Sequence, residues 1–89
     1  MKLKYKFVVR EIDGTYVAVA VGKDNAKFNG MIKLNTSGVF IFNLLKNREI
    51  SFEEIVNELV KKYDVSEEIA QSTVKVFIEA FRKNDLIEE

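Results

Sequence analysis

An apolar helix near the middle of the chain constrains the fold more than any other feature. The segment from Leu34 to Leu45 opens with polar residues, Asn35 or Thr36, that suit a helix cap, and continues as an almost wholly apolar run. A helix that is hydrophobic on every side must be buried on every side, so this one is predicted to be the central pillar of a domain. Residues before it favour strands and residues after it favour helices. The order predicts an α+β fold with three strands followed by three helices.

Two β-rich runs before this helix predict a hairpin. They are Tyr5 to Ile12 and Thr15 to Val21, and the Asp13-Gly14 pair between them tolerates the positive φ angles of a type I′ turn. A two-residue loop pairs Ile12 with Thr15 and sets the register of the strands. On one face of the hairpin, large residues then pair with small ones across the two strands. This favours packing of that face against helices. The other face is apolar along Val17, Val19 and Val21, and is either a partly covered sheet or a surface for a partner or a second copy of the chain.

The rest of the chain predicts one more strand and two more helices. Phe28 to Leu34 reads as the third strand, in which Gly30 marks a bulge or a simple bend. Asn47 suits a left-handed residue at the end of the first helix. Cap signals predict the remaining elements, which are a capping box of Ser51 and Glu54, a second helix to about Tyr63, a cap at Ser66, a third helix from about Glu67 to Lys83, and a short closing strand or staple at Leu86-Ile87.

The third helix carries more apolar surface than one core contact requires. Its central stripe is widened on one side by Ile69, Val76 and Ala80 and on the other by Ile78. Two interpretations fit this pattern. The surplus is either the wall of a groove or the second face of a helix that packs against two neighbours.

Composition restricts the classes of function. The 89 residues predict a single domain over 1–89, with no Cys and no His, and with 14 basic and 14 acidic residues that give zero net charge. Without His, the serines have no neighbouring base to activate them, so no catalytic residue, metal site or cofactor is expected. Nucleic-acid binders usually carry a basic excess, and the apolar runs are too short to span a bilayer. No signal peptide is recognisable, so we expect a cytoplasmic protein without a nucleic-acid or membrane partner.

An ordered set of motifs resembles the PqqD-like family over nearly the whole chain. The motifs with the highest specificity are the Leu34-Asn35-Thr36-Ser37-Gly38 entry to an apolar helix and the later Tyr63-Asp64-Val65 turn. Family members often have a glycine before the second-helix cap and another before the final Leu-Ile, where this chain has Asn47-Arg48 and Asn84-Asp85. The other matching segments are Val8-Val9-Arg10-Glu11, Asp13-Gly14, Ile41-Phe42-Asn43-Leu44-Leu45, Ile55-Val56-Asn57-Glu58-Leu59, Val76-Phe77-Ile78 and Asp85-Leu86-Ile87.

This resemblance implies a fold, a function and partners. Members are peptide chaperones of pyrroloquinoline quinone biosynthesis, and the same module recognises precursors of many ribosomally made, modified peptides. The implied fold is a winged helix-turn-helix with a three-stranded antiparallel sheet. The implied function is to bind a precursor's leader region as an added strand and to present it to a modifying enzyme such as a radical-SAM maturase. The expected peptide-binding residues are the backbone of Asn29, Gly30, Met31, Ile32 and Lys33 and the side chains of Ile69, Thr73, Val76, Phe77 and Ala80.

Three other functions remain open at this point. The winged helix-turn-helix is also a transcription-factor fold, although the exposed face of the third helix carries a mixed set of charges. A dimerising structural subunit would pair the Val17-Val19-Val21 face and the third-strand edge with another copy. A catalytic role has the weakest basis, since the sequence offers no nucleophile with a base in reach.

Overall fold

The computed structural model describes residues 1–22 and 31–88, and within them the predicted order of elements is confirmed. An antiparallel sheet of three strands precedes three helices, which is the expected α+β class. A second sheet of two short strands, β1 and β5, lies beside it. The elements are β1 (Lys2–Leu3), β2 (Phe7–Ile12), β3 (Thr15–Ala20), β4 (Met31–Leu34), α1 (Thr36–Asn47), α2 (Phe52–Tyr63), α3 (Glu67–Lys83) and β5 (Ile87–Glu88).

The predicted hairpin forms between β2 and β3 in the predicted register. Ile12 pairs with Thr15, and every further pair follows from that one down to Phe7 with Ala20. Asp13 and Gly14 have φ angles of 51° and 80°, as a type I′ turn requires. The Asp13-Gly14 turn therefore sets the register of the hairpin, and the register determines which side chains share a face of the sheet.

One face of the three-stranded sheet packs against the helices. Phe7, Ala18, Ala20 and Leu34 point to this inner face and are all buried in the core. The ring of Phe7 lies 5.3 Å from that of Phe42 in α1, in an edge-to-face arrangement. The small alanines on β3 leave room for the aromatic rings, as the pairing of large with small residues predicted.

The helix α1 is central but is not buried all round. Ile41, Phe42 and Leu45 are buried, whereas Val39 and Phe40 are half-buried. The expectation of complete burial was therefore too strong. A domain of this size has too few elements to surround one helix on every side.

The ends of α1 confirm one prediction and correct another. Asn35 is the cap, since its side-chain oxygen accepts a hydrogen bond from the Gly38 N–H at 2.8 Å. Asn47 is not a left-handed residue but the last residue of the helix. It is followed by Arg48, which is extended with φ of −162°. The Arg48 N–H still donates to the Leu44 carbonyl, so the helix ends without a left-handed turn.

The caps of α2 and α3 form as predicted. The Ser51 hydroxyl accepts from the Glu54 N–H while the Glu54 carboxylate accepts from the Ser51 N–H, which is a complete capping box. Ser66 caps α3 through the N–H of Ile69. Between these helices, Asp64 takes the left-handed conformation with φ of 51°.

The two-stranded sheet joins the beginning and the end of the described chain. The predicted closing strand is β5, and it pairs with β1, which the sequence did not predict. Lys4 reinforces the pairing with a 2.9 Å salt bridge to Asp85. Asp85 has φ of 59°, so an aspartate takes a left-handed conformation directly before Leu86 and Ile87.

The connection between β3 and β4 lies outside the described residues. The predicted third strand began at Phe28, and the structure describes it from Met31 to Leu34. The bulge or bend predicted at Gly30 also falls outside the described range. Within the described residues, none of the helices combines the length and the apolar character needed to cross a membrane.

The capping box predicts a pH dependence of stability. Hydrogen bonding to Ser51, together with nearby Arg48, lowers the pKa of Glu54 from its ordinary value of 4.5. A carboxyl whose folded pKa is lowered stabilises the fold above the unfolded pKa and loses that contribution as the pH falls through the folded value. Urea unfolding of the wild type and of Glu54→Gln should therefore differ most at neutral pH, and the difference should shrink below about pH 4.5. An equal difference at neutral pH and at about pH 3 would contradict this assignment.

Candidate functional site

The strand β4 forms one free edge of the three-stranded sheet. The order of strands is β2, β3, β4, so among the described strands β4 pairs on one side only. The Val21 N–H donates to the Lys6 carbonyl, which shows that odd-numbered residues of β3 bond to β2. Because backbone groups alternate along an antiparallel strand, Tyr16 and Ala18 bond to Leu34 and Ile32. The N–H and carbonyl groups of Met31 and Lys33 are then the ones that face the open edge.

An exposed stripe runs along α3. Ile69 is 57% exposed and Val76 is 67% exposed, and they are two of the four exposed large hydrophobic residues in the described part of the chain. Ala80 is also exposed, and Thr73 and Phe77 are half-buried. Together these five residues occupy one helical face over about 16 Å, at 1.5 Å per residue.

The remaining apolar side chains of α3 are buried. Ala70, Val74, Ile78 and Phe81 belong to the core, so one face of α3 completes the packing of the domain. Ile69, Val76 and Ala80 are left without such cover. The structure therefore favours the groove wall over the helix packed against two neighbours.

A close approach between α1 and α3 places this stripe near the end of β4. A Cβ atom built on Gly38 would lie 2.8 Å from Cε1 of Phe77, so only glycine allows the present spacing. Gly38 lies in the first turn of α1, four residues after Leu34 closes β4. The aromatic side of α3 consequently lies against the point where the sheet passes into the first helix.

A concave region adjoins the N-terminal half of the stripe. It has a volume of about 240 Å³ and adds parts of α1 and α2 to the site. Tyr63 at the end of α2 lies in edge-to-face contact with Phe40, at 5.9 Å between ring centres. The residues that line the concavity are Ser37, Leu59, Tyr63, Val65, Ile69 and Thr73.

Sequence reasoning found two of these six lining residues, Ile69 and Thr73. Ser37 and Tyr63 were recognised as parts of motifs, but their meeting depends on how α2 packs against the start of α1. Of the predicted strand residues, Met31, Ile32 and Lys33 lie on β4. Asn29 and Gly30 fall outside the described residues.

The chemistry that the site offers is that of binding. The open edge supplies backbone donors and acceptors, and α3 supplies apolar side chains of graded size. Within residues 1–22 and 31–88, no group of three acidic side chains lies close enough together to hold a metal ion. An extended peptide laid along β4 could pair with the edge and place alternate side chains against α3.

Comparison with known proteins connects this geometry to a family. The family model described as coenzyme PQQ synthesis protein D (PqqD) matches residues 8–87. A solved structure, TbiB1 in complex with the TbiA(beta) leader peptide, matches with a TM-score of 0.72 and 24% sequence identity. The match covers 99% of this chain and 95% of that one, and it shows that the two share a fold. No curated protein matches the chain significantly.

The contact between Gly38 and Phe77 generates a prediction about packing. Gly38→Ala forces the Phe77 ring to move and should cost about 1–3 kcal/mol, as overpacked sites do. The same substitution in a Phe77→Ala background should cost much less, because the clashing atoms are gone. Urea unfolding of the two single variants and of the double variant measures this coupling. Additive effects would show that the two residues do not constrain each other.

Proposed function

We propose that this chain, which belongs to the PqqD family, binds the leader region of a ribosomally synthesised precursor peptide by β-strand addition. The leader would pair with the open edge of β4 and place its side chains in the cleft beside α3. The proposal is supported by an open sheet edge at β4 together with an exposed apolar stripe on α3, whose Phe77 packs against the first turn of α1 just after β4 ends. Either feature alone is common, whereas the two together match the needs of an extended peptide.

Backbone pairing supplies part of the affinity. Met31 and Lys33 each offer one N–H and one carbonyl to the edge, which allows about four hydrogen bonds from the described residues. At about 1 kcal/mol net for each bond, pairing contributes about 4 kcal/mol. Association costs about 4–15 kcal/mol in lost freedom of motion. Pairing alone therefore does not produce stable binding.

Apolar side chains on α3 supply the rest of the binding free energy. Ile69 and Val76 are more than half exposed, and covering each side chain contributes about 1–2 kcal/mol. The stripe extends for about 16 Å, which corresponds to roughly five residues of extended chain. We therefore expect a leader segment of this length with at least two apolar side chains on the face toward α3.

A structure with the same fold supports binding of a leader peptide. The chain of TbiB1 that resembles this one is in complex with a leader peptide. A shared fold does not by itself transfer a ligand. Transfer is supported here because β4 and α3 of this chain provide an edge and a stripe in mutual reach.

The proposed role is that of a non-catalytic chaperone, for which the modifying enzyme supplies the chemistry. The partners are then the precursor peptide and a peptide maturase, for example a radical-SAM enzyme. We place the whole of residues 1–89 in one binding domain. Because precursor peptides are made on ribosomes and modified before export, we place the protein in the cytoplasm.

The direct test is a titration of the isotope-labelled protein with leader peptides encoded near its gene. Backbone NMR shifts should concentrate on Met31–Leu34 and on the exposed stripe of α3. Calorimetry on the same samples gives the affinity. Saturable shifts confined to residues distant from both elements would overturn the proposed site, and no binding to any such leader would overturn the function.

Substitution of Lys33 separates backbone from side-chain contributions. Lys33→Pro removes an N–H that faces the open edge, while the bonds from Ile32 and Leu34 to β3 stay intact. We expect leader affinity to fall about fivefold to tenfold, because one hydrogen bond is lost. Lys33→Ala keeps the N–H and is the matched control, with a change below about twofold. Equal losses in both variants would indicate a role for the side chain instead.

A charged substitution at Val76 tests whether the exposed stripe of α3 contacts the leader. Val76→Asp should leave the fold intact, since the side chain is 67% exposed. It should weaken leader binding at least about tenfold, because apolar burial is lost and a carboxylate is desolvated. Ile12→Asp is the control, since Ile12 is 52% exposed at the far tip of the hairpin. A folded Val76→Asp variant with wild-type affinity would refute the cleft.

A further inference from the structure

The three-stranded sheet has a second face that the packing of the helices does not use. The outer sheet face consists of two cross-strand rows, Val8–Val19–Met31 and Arg10–Val17–Lys33. None of these six residues belongs to the core cluster. Met31 is 67% exposed, and Val8 and Val19 are half-buried.

The charges of the outer sheet face all have one sign. Arg10 and Lys33 flank Val17, and their aliphatic stems can cover it, which is consistent with its 6% exposure. In the described part of β2, β3 and β4, no acidic side chain points to this face, because Glu11 lies on the inner one opposite Tyr16. The chain as a whole has zero net charge, so the two uncompensated cations distinguish this face from the average surface.

A cleft at one end of the sheet adjoins this surface, and its lining includes five cationic side chains and one acidic one, Glu49. Val8 also lines a cleft of about 710 Å³ between the start of β2 and the end of α1. Lys4 and Arg48 on its walls are paired with Asp85 and Glu54, whereas Lys46 has no ion pair within residues 1–22 and 31–88. Aliphatic surface and cationic side chains thus continue from the sheet into a concave site.

We propose that the outer sheet face is the docking surface for an acidic, partly apolar surface of the peptide-modifying enzyme. This inference rests on the proposed function, since it assigns a place to the enzyme that receives the leader. Three aliphatic side chains in one row require an apolar partner surface, and the flanking Arg10 and Lys33 require carboxylates opposite them.

The positive charges of the outer sheet face disfavour two other partners, a second copy of the chain and a nucleic acid. In a symmetric dimer through this face, Arg10 and Lys33 of both copies would meet like charges, which disfavours self-association. A nucleic acid needs several phosphate contacts and gains little from the aliphatic row. An acidic protein surface satisfies both the charges and the apolar side chains.

Docking here leaves the leader cleft accessible. The leader site uses the backbone edge of β4 and the exposed stripe of α3. The outer sheet face instead uses side chains that project at right angles to that edge. Arg10 lies on β2, the strand farthest from the leader site in the sheet. One domain can therefore hold the peptide and the enzyme at the same time.

The test measures binding of the full chain to the modifying enzyme encoded beside its gene. Arg10→Glu should weaken binding to that enzyme about tenfold or more, and Arg10→Gln should weaken it less. Lys62→Glu on α2 is the matched reversal on another surface, and it should change affinity less than about twofold. Added salt should weaken the wild type much more than it weakens Arg10→Glu.

Leader affinity, measured on the same variants by calorimetry, separates the two proposals. Wild-type leader affinity in Arg10→Glu together with lost enzyme affinity supports the docking surface. A folded Arg10→Glu variant that binds the enzyme as the wild type does would overturn it and leave the leader function standing. Dimerisation through this face, or binding of duplex DNA or anionic vesicles to it, would also overturn it.

Discussion

The close approach of α3 to the first turn of α1 is the contact on which the rest of the site depends. At Gly38 the two helices are near enough that a single added carbon would collide with Phe77. This contact holds Phe77 of the exposed stripe against the first turn of α1, four residues after β4 ends. With a larger residue at this position the Phe77 ring would have to move, and the contact between the two helices would be repacked.

Local features were predictable from sequence, and features that depend on distant pairing were not. The hairpin turn, the caps at Asn35, Ser51 and Ser66, and the apolar surplus on α3 all rest on residues that are close together along the chain. Whether that surplus is exposed was left open by the sequence and is answered by the structure. The pairing of β1 with β5 joins two strands of two residues each from opposite parts of the chain, and so short a run has no recognisable period. Likewise, which β4 residues face the open edge depends on the register with β3, and the meeting of Ser37 with Tyr63 depends on helix packing.

The four residues of strand β4 contribute to three different surfaces. Leu34 and Ile32 point into the core, Met31 and Lys33 point their side chains to the outer sheet face, and the backbone of those same two residues faces the open edge. Alternation in a strand makes this separation possible, because side chains and backbone groups project in perpendicular directions. A peptide at the edge and a protein on the face therefore do not compete for the same atoms.

Hydrogen exchange at the amides of β4 distinguishes strand addition from other ways of binding a leader peptide. Strand addition requires that the amides of Met31 and Lys33, which face the open edge, become protected when a leader peptide binds. The amide of Ile32 already bonds to β3 and should change little. Alternating protection of this kind, at saturating leader, is expected for strand addition. Leader binding without slower exchange at Met31 and Lys33 would contradict it.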